Sequence, residues 1–119
     1  MMGLGELLQE MGRELKDFRG AALAGMDGIV VEQHNTEREL DLHSLAAEFS
    51  GMFKAAEKAT EPIHAGAMTE LVAAAENSIV MVRRVTMEYF LILVIRPEGN
   101  LGKGRFILRR ICAQVKIEL

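Results

Sequence analysis

Residues 20–31 read Gly20-Ala21-Ala22-Leu23-Ala24-Gly25-Met26-Asp27-Gly28-Ile29-Val30-Val31. Two short apolar runs, Gly20 to Met26 and Gly28 to His34, meet at the Asp27-Gly28 step. An Asp-Gly step supplies the positive φ angles of a tight hairpin, so the stretch predicts antiparallel strands over 20–26 and 28–34.

Ahead of this hairpin, Leu4, Leu7, Leu8, Met11, Leu15 and Phe18 recur at helical spacing, while Glu6, Glu10, Arg13 and Glu14 fall elsewhere on the cylinder. A helix over 3–17 follows. Behind the hairpin, Asn35 to Asp41 is a polar loop, with Asp41 placed as a cap. Leu42, Leu45, Ala46, Phe49, Met52, Phe53 and Ala56 then keep an i, i+3, i+4, i+7 spacing, giving a second helix over 42–60 that stops before Pro62.

Ala67 to Glu76, Ser78 to Val85 and Tyr89 to Arg96 read as three further strands with short breaks at Asn77-Ser78 and Thr86-Met87-Glu88. In the last, Tyr89, Leu91, Leu93 and Ile95 alternate with Phe90, Ile92 and Val94. Both faces are apolar, which places the strand at the centre of a sheet covered on both sides. Asn100 is set to cap a final helix with Leu101, Gly104, Leu108, Ile111, Cys112, Val115 and Leu119 on one face. The expected fold is an α+β domain over 1–119, with a five-stranded antiparallel sheet and helices on both faces.

Half of the 119 residues are hydrophobic, which excludes a disordered chain. With no Trp and few aromatics, the core must be aliphatic. One cysteine excludes an internal disulfide, and with three scattered histidines it speaks against a structural zinc site. The apolar run Tyr89–Ile95 is far shorter than the roughly 20 residues a membrane-spanning helix needs. The first residues lack the pattern of a signal peptide, so a cytoplasmic protein is expected.

Catalytic motifs are weak. Gly3-Leu4-Gly5 lacks the third glycine of a dinucleotide fingerprint, and Gly102-Lys103 is followed by Gly104 where a phosphate loop needs Ser or Thr. Cys112 sits on an apolar helix face; His34, His43 and His64 have no carboxylate at ligand or triad spacing; Glu37 and Glu39 read as solubilising charge. We expect no enzyme, no cofactor and no metal. Nucleic acid is disfavoured by the net charge of −3 and by basic residues without aromatic interleaving.

The charge is uneven: residues 1–82 carry 6 Lys/Arg against 14 Asp/Glu, and residues 83–119 carry 8 against 3. The excess of cations owes most to the final helix. There Arg105, Arg109 and Lys116 line one flank, Lys103 and Arg110 another, and Phe106, Ala113 and Ile117 form a second apolar strip. That strip is expected to pack on the first helix, with Glu6, Glu10 and Glu14 meeting the basic flank.

More informative is the second helix. Ala47, Gly51, Ala55 and Ala59 repeat every four residues beside Ser44, nearly opposite the Leu42/Phe49/Phe53 stripe. A solvated back face ordinarily carries long charged side chains, and a mid-helix glycine costs about 1 kcal/mol relative to alanine. The bare stripe, edged by His43, Glu48, Lys54 and Lys58, suits close approach of a partner. The plainer alternative is that alanine recurs because it is a good helix former.

The strand Ala67–Glu76 is Ala-rich and lacks aromatics, as an edge strand would. An uncharged edge is an aggregation hazard unless paired, and two-fold pairing would extend the sheet to ten strands. The residues expected at such a dimer interface are Met68, Glu70, Leu71, Val72, Ala73 and Ala74.

The hairpin at 20–31, the Asn100-Leu101-Gly102 turn into the final helix, and the order of elements resemble the roadblock (dynein light-chain) family over nearly the whole chain. The resemblance implies a homodimer with one continuous ten-stranded sheet, the two second helices together on one face and the first and last helices on the other. It implies a partner too: bacterial members of the MglB type regulate a Ras-like small GTPase of the MglA type, docking it on the paired second helices. Carried over, that role falls on His43, Ala47, Gly51, Lys54, Ala55 and Lys58. Simple composition fits a stand-alone bacterial or archaeal member. No arginine stands out as a catalytic finger beside this face, Arg38 being the nearest, so docking and remodelling of the GTPase's own residues are expected. A small-molecule sensor or ligand-binding scaffold without a GTPase partner is the competing reading; it needs a cavity with converging polar groups.

Overall fold

The computed structural model describes residues 2–119, which run α1 (Leu4–Glu14), β1 (Phe18–Gly25), β2 (Val30–Asn35), α2 (Leu42–Ala59), a 3₁₀ turn (Glu61–Ile63), β3 (Glu70–Ala74), β4 (Ile79–Arg84), β5 (Tyr89–Ile95) and α3 (Leu101–Glu118). The strands form one antiparallel sheet in the order β2-β1-β5-β4-β3. The expected element order, sheet and central strand are all present.

The alternation in β5 divides the core. Leu91, Leu93 and Ile95 join Leu7, Leu8 and Met11 of α1 and Ile107, Leu108 and Ile111 of α3. Phe90, Ile92 and Val94 join Leu42, Ala46, Phe49 and Phe53 of α2 on the opposite face. Phe53 and Phe90 are fully buried and stack with centroids 6.4 Å apart. Burying side chains of this size stabilises by about 1.5–3 kcal/mol each. Both long helices begin at the expected caps: Asp41 Oδ1 accepts from the Ser44 amide at 3.1 Å, and Asn100 Oδ1 from the Lys103 amide at 2.9 Å.

Several expectations need correction. The first helix stops at Glu14, because Leu15 is already extended (φ −116°, ψ 105°) and Phe18 pairs with Ile95 in the sheet. Leu15 and Phe18 are buried, so the apolar period outruns the helix. The second strand starts at Val30 because Gly28 (φ 86°) and Ile29 close the turn: Gly25 accepts from Gly28 at 2.8 Å and donates to Ile29 at 2.9 Å. The register then shifts between Leu23 and Ala24, so Val31 is the extra residue of a bulge. The third strand is only Glu70–Ala74, since Met68 is held by side chains from α2 and β4, and the 3₁₀ turn at 61–63 was not expected. Met52, placed on the buried stripe, is 46% exposed.

The largest departure concerns α3. Phe106 and Ile117 are 64% and 78% exposed, and Ala113 is exposed beside them, so this strip does not pack on α1. The expected meeting of charges is real at one point, where Arg110 pairs with Glu14. Arg105 turns instead to Glu70 of β3, at 2.5 Å.

Candidate functional site

All six residues expected at a docking face, His43, Ala47, Gly51, Lys54, Ala55 and Lys58, are exposed along the outer side of α2. Asp41 starts the helix with its carboxyl held below the usual range by the Ser44 hydroxyl and amide. The helix is then set against the sheet by Phe49 and Phe53, and the buried Ser50 hydroxyl donates to the Met26 carbonyl in the β1–β2 turn at 2.5 Å. At its first turn, the Gln33 amide of β2 donates to His43 Nε2 at 3.1 Å.

The small residues on this side are not equivalent. A Cβ on Gly51 would meet nothing within 4 Å, so the surface there is open. At Ala47 the helix backbone is approached by the β1–β2 turn, because a Cβ on Gly28 would already lie 3.0 Å from the Ala47 Cα. Met52 adds a half-exposed apolar side chain at the margin, which the periodicity could not separate from the buried stripe it adjoins.

The β3 edge has the position expected of it, at one end of the sheet, with no strand partner on its outer side among the described residues. Leu71 and Ala73 lie half-buried at the rim of the α2-side core, while Val72 is 36% exposed and Ala74 is exposed. Glu70 is not a free edge charge: its side chain is 8% exposed and pairs with Arg83 at 3.0 Å and with Arg105. Met68 is tied from both sides of its peptide. Its amide donates to Glu57 Oε2 at 2.6 Å, and its carbonyl accepts from Arg84 Nε at 2.9 Å. Arg84 also pairs with Glu57 at 2.8 Å and lies 5.2 Å from the Phe53 ring centroid. This cluster fixes the descent from α2 to β3.

The remaining reactive groups are dispersed. Burial pushes the Cys112 thiol up, and it donates to the Arg84 carbonyl at 3.4 Å. His34 stacks on Phe18, and His64 ends the 3₁₀ turn in the left-handed region. Among the described residues no group of three His, Cys, Asp or Glu side chains could hold a metal. Surface depressions of about 280 to about 460 Å³ are present, and among the described residues no buried polar side-chain atom lacks a partner.

An edge strand and an exposed helix on opposite sides of one turn, over a β2-β1-β5-β4-β3 sheet, invite comparison with known folds. The family model of the Roadblock/LC7 domain matches residues 4–96. The chain belongs to the Roadblock/LC7 family. Among solved structures, this roadblock domain superposes on the gliding protein MglB of Thermus thermophilus with a TM-score of 0.87 at 22% identity, covering 100% of this chain and 96% of that one. A structure of MglB in a tetrameric arrangement gives 0.89 at 21% identity, covering 98% and 91%. MglC of Myxococcus xanthus gives 0.71 at 28% identity, covering 99% and 100%. No curated protein sequence matches the chain.

Proposed function

We propose that this roadblock domain is a non-catalytic, homodimeric regulator that docks a Ras-like small GTPase on α2 and modulates its nucleotide cycle. The observation that carries the reading is Gly51: a helix-breaking residue kept in the middle of an exposed helix, with open space above it and alanines along the same side. Such a face admits another backbone closely without displacing side chains. Lys54, Lys58 and His43 offer polar contacts around it, and Met52 an apolar one.

Dimerisation through β3 is supported by the contrast between the two sheet edges. The β2 edge carries a bulge and polar side chains, the usual protection of a solvated edge. β3 is unbulged, and its one charge is turned inward and paired. No arginine lies along the exposed row of α2, and Arg38 is in the preceding loop, so any acceleration of hydrolysis would come from ordering the GTPase's own residues.

The test is a pull-down with a Ras-like GTPase encoded beside this chain, followed by GTP hydrolysis with and without the roadblock domain. Binding at micromolar concentration, lost in Gly51→Arg, is expected; no binding sinks the reading. A complex that leaves hydrolysis unchanged assigns a scaffold role instead of an activating one.

A further inference from the structure

On the face of the sheet opposite α2, α3 presents an arrangement that the docking reading leaves unused. At 100° per residue its buried residues, Gly104, Ile107, Leu108, Ile111, Cys112 and Val115, occupy one arc. Phe106, Ala113 and Ile117 occupy the arc pointing away from the core, and all three are exposed. Phe106 and Ile117 are eleven positions apart, about 16 Å along the axis, and form a ridge. Arg105, Arg109 and Lys116 lie on one side of it, and Lys103 and Arg110 on the other.

Arg105 and Arg110 are engaged by Glu70 and Glu14. Lys103, Arg109 and Lys116 make no ion pair among the described residues, and all three are exposed. Within α3 the cations are Lys103, Arg105, Arg109, Arg110 and Lys116 against one carboxylate, Glu118; of the neighbouring carboxylates, Glu10, Glu14 and Asp17 are half-buried, and Glu6 and Glu98 are exposed. A chain of net charge −3 thus turns a locally cationic face outward, and screening over about 8–10 Å lets a nearby surface feel that face rather than the whole molecule.

We infer that this face of α3 docks on the anionic surface of a lipid bilayer, with Phe106 and Ile117 entering the headgroup boundary and the flanking cations lying against lipid phosphates. A second copy of the helix is a poor occupant, since two-fold packing of the ridge would set like charges against each other. A single peptide is less suited as well: the ridge is convex, with cations on both flanks, and only an extended surface reaches both at once. Among the described residues no helix is long and apolar enough to cross a membrane, so the contact is peripheral. It involves neither Gly51 nor β3 and stands apart from the GTPase reading.

The test is sedimentation of the full chain with vesicles of equal parts phosphatidylcholine and phosphatidylglycerol, beside vesicles of phosphatidylcholine alone. Binding is expected only to the anionic vesicles, weakening as salt is raised. The double variant Arg109→Glu with Lys116→Glu should lose about tenfold or more in partitioning. Phe106→Ser with Ile117→Ser should lose about tenfold. All four positions are solvent-facing, and unchanged thermal melts would show that both variants are folded; Gly51→Arg should bind vesicles as the parent does. Equal binding to neutral vesicles, no binding to anionic ones, or full binding by either double variant would overturn the inference.

Discussion

Gly28, at φ 86° in the turn between β1 and β2, lies so close to Ala47 of α2 that a Cβ added to it would sit 3.0 Å from the Ala47 Cα. The hairpin tip and the helix therefore meet backbone to backbone. Gly28→Ala combines a left-handed backbone penalty of about 1–2 kcal/mol with this clash, so a loss of at least about 2 kcal/mol in urea unfolding is expected. A neutral result would show that the hairpin tip can move off α2.

Gly51 stands four residues further along the same side of α2 with open space around it. Gly51→Ala should raise stability by about 1 kcal/mol, read as a higher urea midpoint at unchanged slope. A stabilising change that also weakens GTPase capture would mean the glycine is kept for binding and not for folding.

Arg84 joins Phe53, Glu57 and the Met68 carbonyl in one cluster. Arg84→Met keeps much of the stem but leaves the Met68 carbonyl without its donor and Glu57 without its ion-pair partner. The expected cost is about 2–3 kcal/mol, with faster hydrogen exchange at the Met68 amide. Exchange unchanged there would show that Glu57 alone holds the loop.

Three carboxyls titrate below their ordinary range: Glu14 through its hydrogen bonds to Arg110, Glu37 through Arg19, and Asp41 through Ser44. A carboxyl whose folded-state value is lowered gives its full contribution above the unfolded-state value, about pH 4, and loses it as the pH falls through the folded-state value. Urea midpoints should therefore be flat from neutrality to about pH 5 on account of these groups and fall below that. Arg110→Gln and Arg19→Gln should each make the acid limb shallower.

If β3 pairs with its two-fold copy, the solution mass is twice the chain mass of 13.2 kDa. Val72→Lys, which puts like charges near one another across that edge, should return the single-chain mass without unfolding the protein. A parent protein that sediments as a monomer would sink the edge-pairing reading.

The elements whose residues face one environment throughout were legible in the sequence. β5 is apolar on both faces and α2 is periodic with a capping Asp41, and both appear within a residue of the expected bounds. What the sequence concealed depends on contacts between distant segments. Leu15 and Phe18 continue the helical period of α1, yet the sheet takes Phe18 because Ile95 offers it backbone partners. The strip at Phe106 and Ile117 has the spacing of a packed face, but the core takes the opposite arc of α3, with Ile107, Leu108 and Ile111, and leaves the strip in solvent. Similarly, the stripe from Ala47 to Ala59 reads as uniform, whereas the Gly28 turn closes on the helix backbone at Ala47 and leaves Gly51 open.

Because β5 is apolar on both faces, sliding it by one residue would swap its two sets of side chains and change polarity only at the ends, where Arg96 would enter the buried Ile95 position or Ile95 the exposed Arg96 position. Hydrophobic patterning, which sets the alignment of most half-buried strands, is nearly silent here. The alignment must instead come from shape and from the strand's ends. Phe90 finds its slot beneath Phe53, the Tyr89 carbonyl accepts from the Val85 and Thr86 amides, and Arg96 donates to the Asp17 carbonyl just before Pro97 ends the strand. Misalignment in this protein would thus be a nearly dry error, corrected at the turn and the terminus and not by the solvent.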